Sequence, residues 1–254
     1  MKPNILVIAG HDPSGGAGIH ADIEAIHNLG GHACTLITGL TVQNTINVSG
    51  FELTDVALLR AQADSLMADL SFSAVKIGMT GSPAIIRLIA ELLDQLPGVP
   101  VVLDPVLAAE AGGSLGDESV PTALLTDLFP KAALVTPNLP EARTLAAQDS
   151  IDDCGAGLLE AGCLSALITG THDDTEQVCN HFFTRAGTQR WQWPRLPGSF
   201  HGSGCTLASA CAALLGQGQS LEQASTGAQD YVARSLNGAW QAGQGQLIPD
   251  RYQP

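Results

Sequence analysis

The segment His201–Gly216 reads HGSGCTLASACAALLG and joins a glycine-rich turn to a run of small and apolar residues. The run is typical of a buried helix, and the first turn of a helix has backbone N–H groups without intrahelical partners. Aligned peptide dipoles make such a turn an anion site, and they favour the thiolate of a cysteine such as Cys205. The segment fits a phosphoryl-transfer site with an activated base, and it fits equally a glycine-rich loop before a core helix.

On either side of this segment, short apolar runs alternate with helical stretches. Strands are predicted at Asn4–Gly10, Cys34–Gln43, Ala74–Met79, Val99–Asp104, Ala132–Pro137 and Ser165–Gly170. Helices are predicted at Gly18–Gly30, Thr54–Leu70 with Thr54 as its cap, Ser82–Leu96, Asn138–Ala147 and Ile151–Ala161. Continuously apolar strands alternating with helices predict an α/β fold with a mostly parallel sheet that is covered on both faces.

The segment 177–194, QVCNHFFTRAGTQRWQWP, departs from that alternation. Its two alternating runs flank Arg185–Thr188 and predict an antiparallel hairpin at the sheet edge. The sequence shows neither an internal repeat nor a linker, so we interpret residues 1–254 as one domain. Ligands of such sheets bind beyond the carboxyl ends of the strands. We therefore expect the strand ends to converge on a site formed by Gly10, Gln43, Met79, Asp104, Asn138 and Gly170.

Composition limits the classes of partner. The 254 residues are 45% hydrophobic and 14% charged, which indicates a well-buried globular protein. A formal charge of −14 argues against nucleic acid and anionic membrane as partners. A nucleotide is compatible with that charge, because Mg²⁺ and backbone amides can neutralise phosphates locally. The six cysteines have no CxxC spacing and no secretory segment precedes them, so reduced thiols and a cytoplasmic location are predicted.

Three polar residues at strand ends are candidate ligands, each with a structural alternative. Asp104 ends the run VVLDPV and suits a metal or substrate site, although aspartate also commonly starts a turn. Asn138 and Glu141 in TPNLPEA could orient Mg²⁺, since hard cations prefer oxygen ligands. The same two residues have the spacing of a helix capping box. The loop Gly10–Gly18, GHDPSGGAG, matches neither a dinucleotide fingerprint nor a Walker A loop well.

Six segments occur in an order that resembles a known family. They are AGHDPSGGAGIHAD, TVQNT, KIGM, VLDPV, TPNLPEA and HGSGCTLASA, and they span nearly the whole chain. In this order they resemble the hydroxymethylpyrimidine/phosphomethylpyrimidine kinase family of thiamine biosynthesis, which has the three-layer ribokinase-like α/β/α fold. The resemblance implies ATP-dependent phosphorylation of 4-amino-5-hydroxymethyl-2-methylpyrimidine and then of its monophosphate. It also implies a homodimer.

The resemblance assigns residues to each part of the site. It implies that Cys205 is the base, in a position where ribokinases proper have aspartate. It places the anion hole at Gly202, Ser203 and Gly204, the phosphates near Asp104, Asn138 and Glu141, and Mg²⁺ at Asp104 and Glu141. The pyrimidine would be bound by Gly10, Asp22, Val42, Gln43 and Met79. The amide of Gln43 can meet the donor and acceptor of an aminopyrimidine together, and the sulfur of Met79 offers the ring a polarisable contact.

One departure from the family pattern concerns phosphate charge. The family's LxKGGH appears here as LITGTH, so that Thr169 stands at the lysine position near the nucleotide. Two alternative functions remain open on the sequence. One is a pyridoxal or pyridoxine kinase, which shares the fold and the anion hole. The other is a non-catalytic pyrimidine-binding protein that has lost turnover through the change at Thr169.

Overall fold

One sheet forms the centre of the molecule. The structure, a computed structural model, describes residues 2–107, 118–173 and 175–252. Within these ranges nine strands pair in the order β3-β2-β1-β4-β5-β6-β7-β8-β9. The strands are β1 Asn4–His11, β2 His32–Gln43, β3 Val48–Leu53, β4 Ala74–Ile77, β5 Val101–Leu103, β6 Leu134–Val135, β7 Ser165–Ile168, β8 Gln177–Thr184 and β9 Gly187–Pro194.

The sheet is parallel in its centre and antiparallel at both edges. Strands β2, β1, β4, β5, β6 and β7 pair in parallel. The predicted hairpin is confirmed as β8–β9, with Thr184 paired to Gly187 across the turn. Strand β3 was not predicted, and it pairs antiparallel to β2 at the opposite edge. Its residues are half-buried or exposed and Gly50 interrupts its alternation, so its sequence lacks a clear strand pattern.

Helices cover both faces of the sheet. They are α1 Gly18–Asn28, α2 Val56–Asp69, α3 Pro83–Leu93, α4 Val120–Ala123, α5 Leu139–Ala146, α6 Ile151–Glu160, α7 Ser203–Gly216 and α8 Leu221–Asn237. Helix α3 begins as predicted, with Pro83 in its first turn and Ser82 as its N-cap. The predicted cap of α2 is wrong by one residue, because Asp55 and not Thr54 accepts the hydrogen bond from the N–H of Leu58, at 3.0 Å.

Two hydrophobic cores lie on opposite faces of the sheet. Leu6 and Ile8 of β1 belong to the core beneath α2, α3, α5 and α6. Ile5 and Val7, the alternate residues of the same strand, belong to the core beneath α1, α7 and α8. Side chains of a strand point alternately to its two faces, so a strand buried on both faces is apolar throughout. The predicted three-layer α/β/α architecture is confirmed.

All six cysteines lie in the described part of the chain, and all are free thiols. Cys34, Cys154, Cys163 and Cys211 are buried, whereas Cys179 and Cys205 are partly exposed. Within residues 2–107, 118–173 and 175–252, no helix combines the length and the apolar character that crossing a bilayer requires.

Candidate active site

A cavity of about 830 Å³ lies along the edge of the sheet where the parallel strands end. Five of the six predicted strand-end residues line it, as predicted: Gly10, Gln43, Met79, Asp104 and Asn138. The sixth, Gly170, does not line it, but Thr169 and Thr171 on either side of it do. Strands β2 and β1 lie at one side of the sheet, and β7, β8 and β9 lie at the other. The cavity runs along this edge, so it has one end near β2 and another near β9. The start of α7 lies in its wall with Gly202, Ser203, Gly204 and Cys205.

The start of α7 has the geometry that its sequence predicts. Gly202 is the N-cap residue, with φ +75°, and its carbonyl oxygen accepts a hydrogen bond from the N–H of Thr206 at 2.9 Å. A glycine cap has no side chain that could occupy the first N–H groups of the helix. A Cβ at Gly202 would lie 2.1 Å from the carbonyl oxygen of Gly16, so the loop before α1 packs directly against this turn.

The loop before α1 is organised by Asp12. Asp12 accepts hydrogen bonds from the N–H and hydroxyl of Ser14 at 2.8 and 2.9 Å, and from the N–H of Ala17 at 2.9 Å. It also contacts His201, whose Nε2 lies 2.8 Å from its Oδ2. Burial opposes the charge of Asp12, but the bonds from His201 and Ser14 prevail and lower its pKa. The carboxylate therefore joins the two loops that flank the start of α7.

Arg251 fixes the same two loops from behind. Its side chain is completely buried, and it donates to the hydroxyl of Thr206 at 2.8 Å and to the carbonyl oxygens of Gly16 and His201. It also forms an ion pair of 3.0 Å with Glu24. Sequence reasoning missed this residue, because it lies far along the chain from every motif and in no periodic pattern.

Three of the five residues predicted to bind the pyrimidine line one end of the cavity. A Cβ at Gly10 would lie 2.8 Å from the sulfur of Met79, so glycine leaves room for this side chain to pack. The carbonyl oxygen of Met79 accepts a hydrogen bond from Thr38 at 2.6 Å, which fixes the loop after β4. Gln43 ends β2, with its amide between Thr41 and His201.

The other two do not line the cavity, and their part in binding the pyrimidine stays a prediction. The side chain of Val42 is 64% exposed and is not part of the cavity wall, since neighbouring residues of a strand point to opposite faces. Asp22 lies beneath the cavity, completely buried. Its Oδ1 accepts from Nζ of Lys76 at 2.8 Å and from the hydroxyl of Ser209 at 2.7 Å. Asp22 therefore holds Lys76, a residue that sequence reasoning did not assign.

The environment of Cys205 overturns the expected lowering of its pKa. Burial raises the pKa of the thiol to about 12, and the carboxylates of Asp104 and Asp22 add to that rise. The ammonium of Lys76 opposes it without prevailing. The cost of a desolvated thiolate beside two carboxylates thus exceeds the stabilisation that the ammonium of Lys76 supplies. Free of ligands, Cys205 is a thiol at neutral pH.

Asp104 is the acceptor next to this thiol. Burial raises its pKa to about 6, against the effects of Lys76 and of a hydrogen bond with Cys205. Its Oδ2 is buried without a protein partner, although Asp104 lines the cavity. The pKa of Lys76 itself lies above its usual range. Desolvation opposes the charge of the ammonium, but Asp22, Cys205 and Asp104 outweigh that effect. A permanent cation therefore lies under the centre of the cavity.

The capping interpretation of Asn138 and Glu141 is confirmed. The side chain of Asn138 accepts from the N–H of Glu141 at 2.9 Å, and that of Glu141 accepts from the N–H of Asn138 at 3.0 Å. Both residues also line the cavity, so the capping role leaves a ligand role open. Within the described ranges, no three His, Cys, Asp or Glu side chains are grouped closely enough to hold a metal ion by themselves. Mg²⁺ commonly takes one or two carboxylates with phosphate and water, which Asp104 and Glu141 fit.

The far end of the cavity is an apolar cleft between the β8–β9 hairpin and α8. Its walls are Val178, Trp193, Val232 and Leu236. Its polar floor is satisfied internally, because Oε1 of Gln229 accepts from Asn180 at 2.9 Å and from the indole of Trp193 at 3.0 Å. Such a cleft suits a flat heterocycle held by shape and apolar contact.

A guanidinium lies between this cleft and Thr169. Arg195 follows β9 and donates to the carbonyl oxygens of Thr171, Asp173 and Thr175, at 2.8, 2.8 and 2.9 Å. It lines the cavity with Thr169 and Thr171. Three of its five N–H groups are thereby used, and its charge stays at the end of the cavity where the expected lysine is missing.

Comparisons with known proteins agree with this arrangement. The family model described as phosphomethylpyrimidine kinase matches residues 12–250. The hydroxymethylpyrimidine/phosphomethylpyrimidine kinase of Escherichia coli (strain K12) is 40% identical over 218 residues, which are 83% of this chain and 82% of that protein. The solved phosphomethylpyrimidine kinase from Clostridium difficile 630 is 31% identical with a TM-score of 0.81, covering 92% of this chain and 100% of that one. The pyridoxal kinase of Staphylococcus aureus in complex with ADP is 25% identical with a TM-score of 0.91, covering 99% of this chain and 94% of that one.

Proposed function

Because the chain belongs to the phosphomethylpyrimidine kinase family, we propose that it phosphorylates 4-amino-5-hydroxymethyl-2-methylpyrimidine with ATP and then converts the monophosphate to the diphosphate. This is the thiamine-pathway activity that the sequence resemblance predicts. The observation that carries the proposal is the single cavity that joins Gln43 and Met79 at one end, the start of α7 in the middle and an apolar cleft at the other end.

The pyrimidine would occupy the end lined by Gly10, Gln43 and Met79. Its ring would lie against the sulfur of Met79, and its amino group and ring nitrogen would meet the amide of Gln43. The hydroxymethyl group would then point toward the start of α7. This assignment follows from the shape of the cavity and from the donors and acceptors at its wall.

ATP would enter from the opposite end, with adenine in the cleft between Trp193 and Leu236. The ADP complex of the Staphylococcus aureus kinase supports a nucleotide as co-substrate. The γ-phosphate would meet the N–H groups of Ser203, Gly204 and Cys205, which are pre-oriented donors for the charge that develops in transfer. When bound, Mg²⁺ would neutralise phosphate charge, held by Glu141 and by water at Asp104.

The proton of the substrate hydroxyl would pass to Cys205. Since the thiol is protonated in the free protein, its own proton must move as the sulfur accepts the new one. Asp104 accepts a hydrogen bond from this thiol and has a pKa of about 6, so it is the group that can take that proton. The ammonium of Lys76 stabilises negative charge on the pair throughout. In this scheme a free thiolate never accumulates.

A coupled ATP-consumption assay with the pyrimidine alcohol and with its monophosphate tests the function. We expect turnover with both acceptors. Turnover of neither would contradict the proposal, and binding without turnover would favour the non-catalytic alternative.

Pyridoxal kinase is the second candidate because the backbone likeness to the Staphylococcus aureus enzyme, at a TM-score of 0.91, exceeds the 0.81 found with the pyrimidine kinase. Sequence identity has the opposite order, 25% against 31%. The backbone is therefore shared by both activities, and the side chains at the pyrimidine end decide between them. Assaying pyridoxal beside the pyrimidine alcohol separates the two candidates.

Replacing Gln43 by alanine is expected to weaken pyrimidine binding by about 1–3 kcal/mol, because the polar edge of the ring would lose its partner in a desolvated pocket. ATP binding should hardly change, since Gln43 lies at the opposite end of the cavity. Calorimetric titration of the variant with each ligand measures both. Unchanged pyrimidine affinity would show that the substrate pocket is placed wrongly.

Replacing Arg195 by glutamine is expected to weaken ATP binding about fivefold, the roughly 1 kcal/mol of a partly exposed ion pair. Thr169→Lys should tighten ATP binding, because it adds the cation that the family pattern has there. Titration with ATP at fixed Mg²⁺ measures both effects. Arg185→Gln, in the exposed turn of the hairpin, is the matched control. If only the Thr169 variant changed affinity, Arg195 would have no part in binding phosphate.

A homodimer is proposed on the evidence of an exposed apolar surface on the β2 side of the sheet. Leu40, Val42 and Ile46 are 55%, 64% and 53% exposed. A second copy of the chain would cover them, which gives Val42 a role at a subunit contact in place of the predicted one in the pocket.

The free thiols support the proposed cytoplasmic location.

A further inference from the structure

Three side chains from separate parts of the chain meet at the pyrimidine end of the cavity. Asp12 lies in the loop after β1, Gln43 ends β2 and His201 precedes α7. Nε2 of His201 lies 2.8 Å from Oδ2 of Asp12 and 3.2 Å from Nε2 of Gln43. Asp12 and His201 are 2% and 6% exposed, so the contact between them is shielded from water. The positions of the hydrogen atoms therefore follow from the partners.

The bond to Asp12 places a proton on Nε2 of His201. The carboxylate of Asp12 is ionised and can only accept hydrogen bonds. Its neighbour on the imidazole must therefore be an N–H donor. A nitrogen that carries a proton has no lone pair in the ring plane, so it cannot accept from Gln43 as well. The oxygen and nitrogen of a side-chain amide have nearly the same shape, so we assign them from their neighbours and exchange the two in Gln43. Its oxygen then faces His201 and shares the single Nε2–H with Asp12.

The opposite side of the amide leads to the same conclusion. The hydroxyl oxygen of Thr41 lies 3.0 Å from the carbonyl oxygen of His11 and 3.1 Å from Oε1 of Gln43. Its one proton must go to the carbonyl of His11, which can only accept. Toward Gln43 the hydroxyl is thus an acceptor and requires the NH₂ group. Both neighbours demand the same orientation, with the oxygen at His201 and the nitrogen at Thr41.

The imidazole itself cannot turn to relieve this constraint. A Cβ at Gly16 would lie 2.1 Å from Cδ2 of His201, which shows how closely the backbone of the loop covers the ring. The backbone N–H of His201 donates to the carbonyl of Leu247 at 2.8 Å. Asp12 keeps its bonds to Ser14 and Ala17 whether or not the imidazole is present. The ring is therefore a fixed donor.

We propose that His201, oriented by Asp12, is a positioning residue that holds the Gln43 amide in one orientation and thereby sets the heterocycle specificity of the site. The amide then presents one remaining N–H and one remaining oxygen lone pair in a fixed order. An aminopyrimidine edge, with an exocyclic amine beside a ring nitrogen, matches that order. A hydroxypyridine edge offers a different order and gains from an amide that is free to rotate. This inference rests on the proposed pyrimidine kinase function.

The test compares two variants of His201. His201→Phe keeps a ring of similar shape but removes the N–H, whereas His201→Gln places an amide N–H near the position of Nε2. We expect His201→Phe to raise the KM for the pyrimidine alcohol about tenfold, the loss of one hydrogen bond in a desolvated site, with little change in kcat. The preference for the pyrimidine over pyridoxal should fall, and His201→Gln should restore most of it. His27→Gln, exposed at the far end of α1, is the control for loss of a histidine.

An independent measurement needs no variant. Nitrogen-15 NMR of the imidazole in the unliganded protein should show a proton on Nε2 of His201, and an unprotonated Nε2 would overturn the inference. Equal impairment of the Phe and Gln variants would reduce His201 to a packing role, and an unchanged KM in His201→Phe would remove it from specificity. If the parent protein did not use the pyrimidine, the proposed function would fail together with this inference. If the parent used it and His201→Phe discriminated equally well, only the inference would fail.

Discussion

Replacing Cys205 by alanine is expected to lower turnover by about 10²–10⁴-fold, the usual effect of losing a general base. Pyrimidine affinity should stay nearly intact, because Gln43 and Met79, which we propose to bind the ring, lie at the end of the cavity. Steady-state kinetics and calorimetric binding of the same variant measure the two effects separately. The thiol has a pKa of about 12 in the free protein. The substitution therefore removes a group that takes part in concerted proton transfer, and it does not remove a thiolate that was already present.

The chain contains a matched control for this substitution. Cys211 lies on the same helix and also has a pKa of about 12, but it is buried and does not line the cavity. Cys211→Ala should therefore leave turnover unchanged apart from any loss of folded protein. Near-normal turnover of Cys205→Ala would assign that residue to packing. If Asp104→Asn were then inactive, Asp104 would be the base acting alone.

Replacing Lys76 by methionine is expected to destabilise the fold by about 3–5 kcal/mol, because it leaves the carboxylate of Asp22 buried without its counter-charge. Lys76 and Asp22 are both completely buried at a separation of 2.8 Å. Chemical denaturation monitored by circular dichroism gives the change in unfolding free energy. Lys131→Met is the control, since Lys131 pairs with Asp94 at the surface and its loss should cost about 1 kcal/mol or less.

A second change separates structure from chemistry in this pair. The double variant Lys76→Met with Asp22→Leu removes both charges and should recover much of the stability, although it leaves the hydroxyl of Ser209 without its acceptor. Its turnover should stay low, because the cation beneath Cys205 and Asp104 is gone. Full activity in a stable double variant would show that Lys76 serves folding alone.

A strand can be predicted from the local sequence where both of its faces are buried. Strand β1 is apolar throughout because both of its faces pack, and Ser82 followed by Pro83 is a helix start that depends on neighbouring residues only. Strand β3 has no such pattern, because it lies at an edge and gains its order from pairing with β2. Sequence periodicity detects burial, and an edge strand buries little.

The candidate site was predictable where a strand ends and not where distant segments meet. Gly10, Gln43 and Met79 follow strands, so topology brings them to the cavity. Asp22 lies beneath the cavity, and its spacing from Ile19 and Ile26, three and four residues away, marks the buried face of α1. Arg195 belongs to no motif, and only the packing of its loop brings it to the cavity. The pKa of Cys205 depends on Asp104, Asp22 and Lys76 together, which no local pattern contains.

The buried guanidinium of Arg251 has a consequence for the order of events during synthesis. It ties together the loop at Gly16, the loop at His201 and the first turn of α7, and Gly16 lies 235 positions before Arg251 along the chain. A ribosome makes the chain from its amino end, so all strands and the catalytic helix emerge before the residue that secures them. The start of α7 therefore lacks these contacts of Arg251 until residue 251 has left the exit tunnel, and we expect this turn to become ordered after the sheet.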